Sequence, residues 1–287
     1  MKNNVSIIIL IYEEKFDVIC KCLEQLKNFS IIVIDNTNNV PRKKKIEENF
    51  NIYKYFLNKK NLGFGKAINK GIQSCATDYL LILNPDCIIT ESSIKILLEK
   101  LNKYDDCFMT TPTLFSHDNK ITQNSSLFPE SGFLKSPISI DGDTCCQSIL
   151  AAAMFCRTNE IKEIGMFDEN FFLFYEDDDL CRRIYNSKKS IIQTFDAKAI
   201  HQHGEGKSIN NSLKRSFIIN FNMTYSELYY FFKIKDYDKK FNLLKKKIPS
   251  YSLKCLLNLL IFKFNKSIYF FAKIAAYTKF KTFLKKN

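Results

Sequence analysis

Apolar runs and helical patterns alternate along the first part of the chain. Val5–Ile11, Ser30–Ile34 and Tyr79–Leu83 are short, nearly uninterrupted apolar segments, which is typical of strands covered on both faces of a sheet. Apolar residues at helical spacing over Lys15–Lys27 predict a helix between the first two strands. Asn61–Ala76 predicts a glycine-containing loop that opens another helix. This order predicts an α/β fold with a mixed, mostly parallel sheet flanked by helices.

Patterns in the rest of the chain predict further strands and a helical C-terminal part. Short strands are expected near Tyr53–Leu57 and over Ser190–Phe195, and a charged helix over Glu176–Asn186. Residues 110–143 are rich in turn-forming residues and are expected to be irregular. Over Leu253–Ala275, apolar residues fall on one helical face and lysines on the other. That pattern predicts one basic amphipathic helix.

The positive charge of the chain is concentrated at its C-terminal end. The formal net charge is +13, and residues 239–287 contain thirteen lysines and no Asp or Glu. Residues 1–238 are therefore nearly neutral, which argues against a nucleic-acid partner for them. We expect two domains, an α/β domain over 1–208 and a helical, Lys- and aromatic-rich extension over 209–287. The basic tail either binds an anionic membrane surface or packs on the rest of the chain or on another subunit.

Cysteine usage bears on the compartment. The ten cysteines include no CxxC pair, and Met1–Leu10 leads directly into the first strand without a secretory pattern. A cytoplasmic protein with reduced thiols is therefore expected.

Asn84-Pro85-Asp86 follows the third apolar strand directly. Ligands of open α/β sheets gather at the carboxyl ends of strands, where Asp35 also lies. A carboxylate fixed there can hold a hard divalent cation against a diphosphate. The same three residues also suit an ordinary turn.

Glu176-Asp177-Asp178-Asp179 is a run of four acids between aromatic and apolar neighbours. One carboxylate held near a hydroxyl group is able to act as a general base. Acids also favour the first turn of a helix. The apolar flanks count against a purely solvated helix start, because carboxylates are expensive to bury without a partner.

Two of the three histidines, His201 and His203, lie close together after an apolar stretch. Imidazole is a common ligand of divalent transition metals. Residues two apart on an extended segment face opposite sides, so one of them is expected to bind metal. A structural role for the pair is the alternative.

These segments together resemble the family 2 inverting glycosyltransferases with the GT-A fold. Within that family they are similar to bacterial rhamnosyltransferase-like members of lipopolysaccharide and capsule pathways. The likeness extends from Val5 to Ser208 and is carried by VSIIILIY at 5–12, IDN at 34–36, NLGFGKAINKGI at 61–72, YLLILNPD at 79–86, GMFDENFFLFYEDDDLCRR at 165–183 and IHQHGEGKS at 200–208.

The resemblance implies a role for each matching residue. Asp86 would be the metal-binding acid of a DXD-type motif, in which Asn84 replaces the first acid, as is usual in this subgroup. Asp177, preceded by Glu176, would be the catalytic base, and His201, alone or with His203, would complete the metal site. The donor side would be lined by Tyr12, Asp35, Asn36, Asn61, Gly63, Asn69 and Asn84, and the acceptor side by Asp168 and Glu169.

The implied reaction is sugar transfer with inversion, dependent on Mg²⁺ or Mn²⁺. The donor would be a nucleotide-sugar, dTDP-rhamnose first and UDP-sugars next. The acceptor would be a glycan or a polyprenyl-diphosphate-linked glycan at the inner face of the cytoplasmic membrane. The alternative is a non-catalytic nucleotide-sugar-binding scaffold subunit of a glycan-assembly complex. The sequence leaves oligomerisation open.

Overall fold

The computed structural model describes residues 4–122, 124–132, 140–202 and 213–286. One compact unit comprises the described residues up to 169 and from 177 to 202. Its strands are β1 Val5–Ile11, β2 Ser30–Asp35, β3 Lys54–Leu57, β4 Tyr79–Leu83, β5 Cys87–Ile89, β6 Cys107–Phe115, β7 Ser125–Ser126, β8 Thr144–Cys145, β9 Ser148–Ile149, β10 Ala153–Arg157 and β11 Ser190–His201. Its helices are α1 Phe16–Glu24, α2 Val40–Asn49, α3 Gly65–Ser74, α4 Glu91–Lys103, α5 Thr158–Glu163 and α6 Glu176–Asn186.

The main sheet has the order β3-β2-β1-β4-β10-β6-β11-β5, with β8 paired to β11. The pairs among β1, β2, β3 and β4 are all parallel. Strand β10 is antiparallel to β4 and β6, whereas β11 is parallel to β6 and antiparallel to β5. The prediction of a mixed sheet flanked by helices is confirmed.

Strand β1 shows why the apolar runs are nearly uninterrupted. Ile7 and Ile9 belong to one core cluster and Ile8 to the other, and all three are fully buried. Successive strand residues point to opposite faces, so a strand with a core on each side needs apolar residues at every position.

Helix α3 approaches the sheet closely at Gly71. A Cβ added there would lie 2.6 Å from Cγ2 of Ile8. Ile8 is fully buried in the sheet, so it has no room to move aside.

We expect Gly71→Ala to destabilise the protein by about 1–3 kcal/mol, the usual effect of overpacking a core. The better helix propensity of alanine, worth up to about 1 kcal/mol, offsets only part of that loss. Urea unfolding measures the change. Gln73→Ala, at an exposed position of the same helix, is the matched control and should leave the midpoint nearly unchanged. Equal stability of both variants would contradict this close packing.

The prediction that residues 110–143 are irregular is wrong for their first part. Cys107–Phe115 forms β6, which pairs with both β10 and β11. Its three threonines and Pro112 hide the strand pattern. Pro112 lies opposite Thr194, next to a shift in register between Thr194 and Lys198, where a residue without an N–H group is tolerated.

A second compact unit comprises residues 170–176 and the described residues from 213 onward. Its helices are α7 Leu213–Lys233, α8 Tyr237–Leu260 and α9 Phe264–Leu284. Its core is largely aromatic: Phe171 and Tyr230, both nearly inaccessible, lie in one cluster with Tyr175 and Phe280. Ser226 Oγ donates to the carbonyl of Leu173 at 2.9 Å, so the segment 170–176 is fixed within this helical unit.

The prediction of one amphipathic helix over Leu253–Ala275 is also wrong. Helix α8 ends at Leu260 and α9 begins at Phe264. Ser267 Oγ donates to the carbonyl of Cys255 at 2.9 Å, which brings the two helices together as a hairpin. In the parts of the chain that are described, none of the helices is both long and apolar enough to cross a bilayer.

Candidate functional site

Asp86 and His201 lie side by side at one edge of the sheet. Strand β5 begins at Cys87, which is paired with His201 at the end of β11. The N–H of Gln202 donates to the carbonyl of Asp86 at 3.0 Å. This ladder places Oδ1 of Asp86 3.2 Å from Nε2 of His201. Both side chains are buried, at 8% and 6% exposure, so the pair is preorganised.

The acid run is linked to the Asn84–Asp86 turn by the residues that directly precede β10. The N–H of Asn84 donates to the carbonyl of Ala152 at 2.9 Å. The preceding residue, Ala151, directs its N–H at Oδ2 of Asp177 with a distance of 3.4 Å. Asp177 is thereby connected to the Asn84–Asp86 turn through two consecutive residues. The smallness of the 148–156 segment, SILAAAMFC, permits this approach.

The acids after Glu176 have three different surroundings. Asp177 lies next to Ala151, while Asp178 accepts a hydrogen bond from Ser148 Oγ at 2.6 Å. Asp179 pairs with Arg183 one helical turn later, at 2.9 Å. Arg183 also donates to the carbonyl of Ile164 at 2.7 Å. Of Asp177, Asp178 and Asp179, only Asp179 pairs with a cation in these contacts.

Burial raises the pKa of the Asp177 carboxyl. For Asp178, burial and then the adjacent charge of Asp177 raise the pKa to about 7. A carboxylate with a raised pKa is a stronger base, and such values are typical of functional sites. The geometry of Asp177 and its basicity both suit proton abstraction.

The backbone before this helix is strained. Phe174 and Tyr175 have φ values of 71° and 66°, in the left-handed region that bulky residues rarely adopt. Strain of this kind costs about 1–3 kcal/mol per residue and concentrates at functional sites. Glu176, the first residue of α6, is buried at 5% exposure.

The residues expected on the donor side form a connected polar network at the ends of β1 and β2. Asp35 is fully buried and accepts from the N–H of Thr37 at 2.8 Å and the hydroxyl of Tyr55 at 2.7 Å. Burial and, to a smaller extent, the hydrogen bond to Asp35 raise the pKa of the Tyr55 hydroxyl. Next to Asp35, the carbonyl of Tyr12 accepts from Arg42 at 3.3 Å.

Asn36 organises the loop that follows β3. Its Nδ2 donates to Asn61 Oδ1 and to the carbonyl of Gly63, each at 3.0 Å. Its Oδ1 accepts from Asn58 Nδ2 at 2.9 Å. Gly63 has a φ of 84°, which only glycine adopts readily. Asn36 therefore shapes the Asn61–Gly63 loop, while the carboxylate of Asp35 holds Thr37 and Tyr55.

Asn69 connects α3 to the segment before the acid run. Its side chain forms two hydrogen bonds with the backbone of Phe167, at 2.8 and 3.0 Å. Glu169 pairs with Lys66 at 2.6 Å and is partly exposed. Asp168, between them, is half-buried. Asn69, predicted on the donor side, thus lies beside the predicted acceptor residues. It holds the backbone of Phe167 in place.

The Asp86–His201 pair fits a divalent cation. An imidazole nitrogen and a carboxylate oxygen are both metal-binding donors, and two ligands with bonds of about 2.0–2.2 Å lie about 3 Å apart when they bind at right angles. Among the described residues, no group of three or more His, Cys, Asp or Glu is arranged to hold a metal. Two protein ligands suffice where substrate phosphates and waters complete the shell. His203 lies outside the described residues.

Sequence reasoning missed the residues that support the site. Ala151, Thr37 and Tyr55 contact predicted site residues, and Ser148 contacts Asp178 beside Asp177. The one available signal was the run of small residues near Ala151, since small side chains allow close approach of another element. Nothing in the sequence marked Tyr55 as a partner of Asp35.

Comparison with known structures places this fold among GT-A glycosyltransferases. GalNAc-T7, solved with UDP, GalNAc and Mn²⁺, is 14% identical with a TM-score of 0.60 over 80% of this chain and 50% of that one. The mannosyltransferase PcManGT from Pyrobaculum calidifontis, solved with GDP-Man and Mn²⁺, is 9% identical with a TM-score of 0.55 over 97% and 87%. TarS of S. aureus is 15% identical with a TM-score of 0.51 over 76% and 39%.

The family follows from the sequence itself. Residues 6–158, more than half of the 287, match the family described as glycosyl transferase family 2. The chain belongs to that family. It spans about half the length of GalNAc-T7, and no protein of curated function matches it significantly.

Proposed function

We propose that this protein transfers a sugar from a nucleotide-sugar to a glycan with inversion, and that Asp177 is the general base. The observation that supports this most directly is the buried Asp86–His201 pair, since the same sheet edge receives Asp177 through Ala151 and Ala152. Asp86 and His201 would hold Mg²⁺ or Mn²⁺. When bound, such an ion stabilises the negative charge of a leaving diphosphate.

The chain's own groups would perform the remaining steps. Asp177, whose raised pKa favours proton uptake, would take the proton of the acceptor hydroxyl as that oxygen attacks the anomeric carbon. Asn84 and Asp86 lie on a turn fixed by the Ala152 carbonyl. The donor would therefore be held at a rigid strand end, which favours an in-line geometry.

Donor recognition is proposed at the ends of β1 and β2. The side chain of Asn36 hydrogen-bonds to Asn58 and to the Asn61–Gly63 loop. The carboxylate of Asp35 accepts hydrogen bonds from Thr37 and Tyr55. Asn36 would position this loop against the nucleotide, and Asp35 would fix Thr37 and Tyr55 beside it. The donor we propose first is dTDP-rhamnose, then UDP-sugars; the similar structures contain UDP and GDP-Man.

The proposed acceptor is a glycan of bacterial lipopolysaccharide, O-antigen or capsule, in free or polyprenyl-diphosphate-linked form. Asp168 and Glu169 would contact it, because they lie on the segment before the acid run that bonds to α3 through Asn69 and Lys66. The reaction would take place at the cytoplasmic face of the membrane.

A thermal-shift measurement tests this proposal. dTDP, UDP and GDP are added to the protein with and without Mn²⁺. A metal-dependent rise of Tm with dTDP alone supports rhamnosyl transfer, and a rise with UDP supports a UDP-sugar donor. Asp86→Asn should abolish the metal-dependent part of the shift. If no nucleotide raised Tm in the presence of Mn²⁺, the enzyme proposal would be wrong.

A further inference from the structure

The connection between α8 and α9 exposes an unusual number of apolar side chains. We call residues 253–271 the hairpin tip. Helix α8 has no buried residue at all along its described length. The large apolar side chains of the hairpin tip that are exposed are Leu253, Leu256, Leu257, Leu259, Leu260, Ile261, Phe262, Phe264, Tyr269 and Phe271. Contiguous exposure on this scale marks an interaction surface.

Phe262 occupies an exposed position where a phenylalanine lowers the stability of the fold. The N–H of Phe262 donates to the carbonyl of Leu259, and that of Lys263 to the carbonyl of Asn258. This pattern ends helices at a left-handed residue, usually glycine. Phe262 has a φ of 57° and is 77% exposed. A phenylalanine there is unfavourable twice over, for backbone conformation and for hydration.

The charge around the hairpin tip determines what can cover it. Lys254, Lys263 and Lys266 are all exposed, and residues 239–287 contain no acid. A second copy of this surface would bring like charges together, which opposes self-association. An anionic lipid surface accepts both features, since lysine ammonium groups stay at the headgroups while apolar side chains enter the acyl boundary.

We infer that the hairpin tip is a membrane anchor that inserts Phe262 and its apolar neighbours into an anionic leaflet. The anchor goes beyond sugar transfer and does not depend on which donor or acceptor is used. It also limits the proposed membrane-binding part of the basic tail to the hairpin tip. There the lysines attract anionic headgroups and the apolar side chains insert below them.

Co-sedimentation of the full chain with vesicles tests the anchor. Vesicles of phosphatidylcholine with an equal amount of phosphatidylglycerol should bind the protein, and pure phosphatidylcholine should bind it much less. Phe262→Gly should weaken binding about 10–100-fold, as expected for removal of one inserted aromatic side chain. The double variant Lys263→Gln, Lys266→Gln should weaken it about 25-fold, or about 5-fold for each lysine.

Thermal unfolding of the same variants separates anchoring from a structural role. Glycine suits the left-handed position, so Phe262→Gly should keep or raise Tm while binding falls. Leu243→Ser, an exposed apolar position of α8 outside the hairpin tip, is the matched control and should bind normally. Lowered Tm in Phe262→Gly, equal binding of all variants, equal binding to neutral vesicles, or lipid-free dimers that Phe262→Gly dissociates would each overturn the inference.

Discussion

Asp177→Asn is expected to reduce sugar transfer by about 10²–10⁴-fold, the usual contribution of a general base. Asparagine has the same shape, and its carbonyl oxygen can still accept the N–H of Ala151, which lies 3.4 Å from Oδ2 of Asp177. The local fold is therefore retained, while the group that accepts the proton is lost. Turnover of donor and acceptor measures the loss, and nucleotide binding followed by thermal shift should be largely unchanged.

Asp178→Asn is the matched control, because this neighbour is likewise half-buried but contacts Ser148. Transfer should persist in it. Burial and the adjacent charge of Asp177 raise the pKa of Asp178 to about 7, so Asp178 is largely neutral at acidic pH. Its replacement by the neutral asparagine should therefore leave the acid limb of the pH–rate profile nearly unchanged. If Asp177→Asn turned over normally and Asp178→Asn did not, the base would have to be reassigned.

Removal of divalent metal is expected to bring transfer close to background. Stabilisation of several kcal/mol at a leaving group corresponds to a loss on the order of 10³-fold. EDTA followed by titration with Mn²⁺ or Mg²⁺ measures the dependence. His201→Ala should raise the Mn²⁺ concentration needed for half-maximal rate by about 10–100-fold or more, since even the loss of a supporting group around a metal has that effect.

His117→Ala is the control for that substitution, because His117 is exposed on the surface. Its metal requirement should equal that of the unaltered protein. Full activity in excess EDTA would remove Asp86 and His201 from the metal role, whatever the effect of substituting them.

The bounds of the strands that carry apolar residues on both faces were predictable from the sequence. β1 and β4 have the predicted limits, Val5–Ile11 and Tyr79–Leu83, because burial on both faces demands an unbroken apolar run. Strand β6 escaped prediction because buried threonines satisfy their hydroxyls on neighbouring backbone, as Thr111 does on Ala153 at 2.7 Å. A polar residue with such a partner can be buried at little cost, but a segment with several such residues has the polar pattern of an exposed segment.

The candidate site divides in the same way. The residue types of Asp86, Asp177 and His201 were recognisable, but the approach of His201 to Asp86 depends on a pairing of β11 with β5. That pairing follows a register shift after Thr194, and such shifts leave no clear mark in the sequence. The hydrogen bonds of Asp35 were equally hidden, because they depend on the direction in which Tyr55 points its hydroxyl.

The packing of residues 170–176 has a consequence for biosynthesis. Phe171 contacts Tyr229 at 4.9 Å between ring centroids, and Tyr229 contacts Phe283 at 5.6 Å. A ribosome releases these partners long after Asp177 itself has emerged. The segment 170–176 can therefore complete its aromatic packing only after translation has passed Phe283.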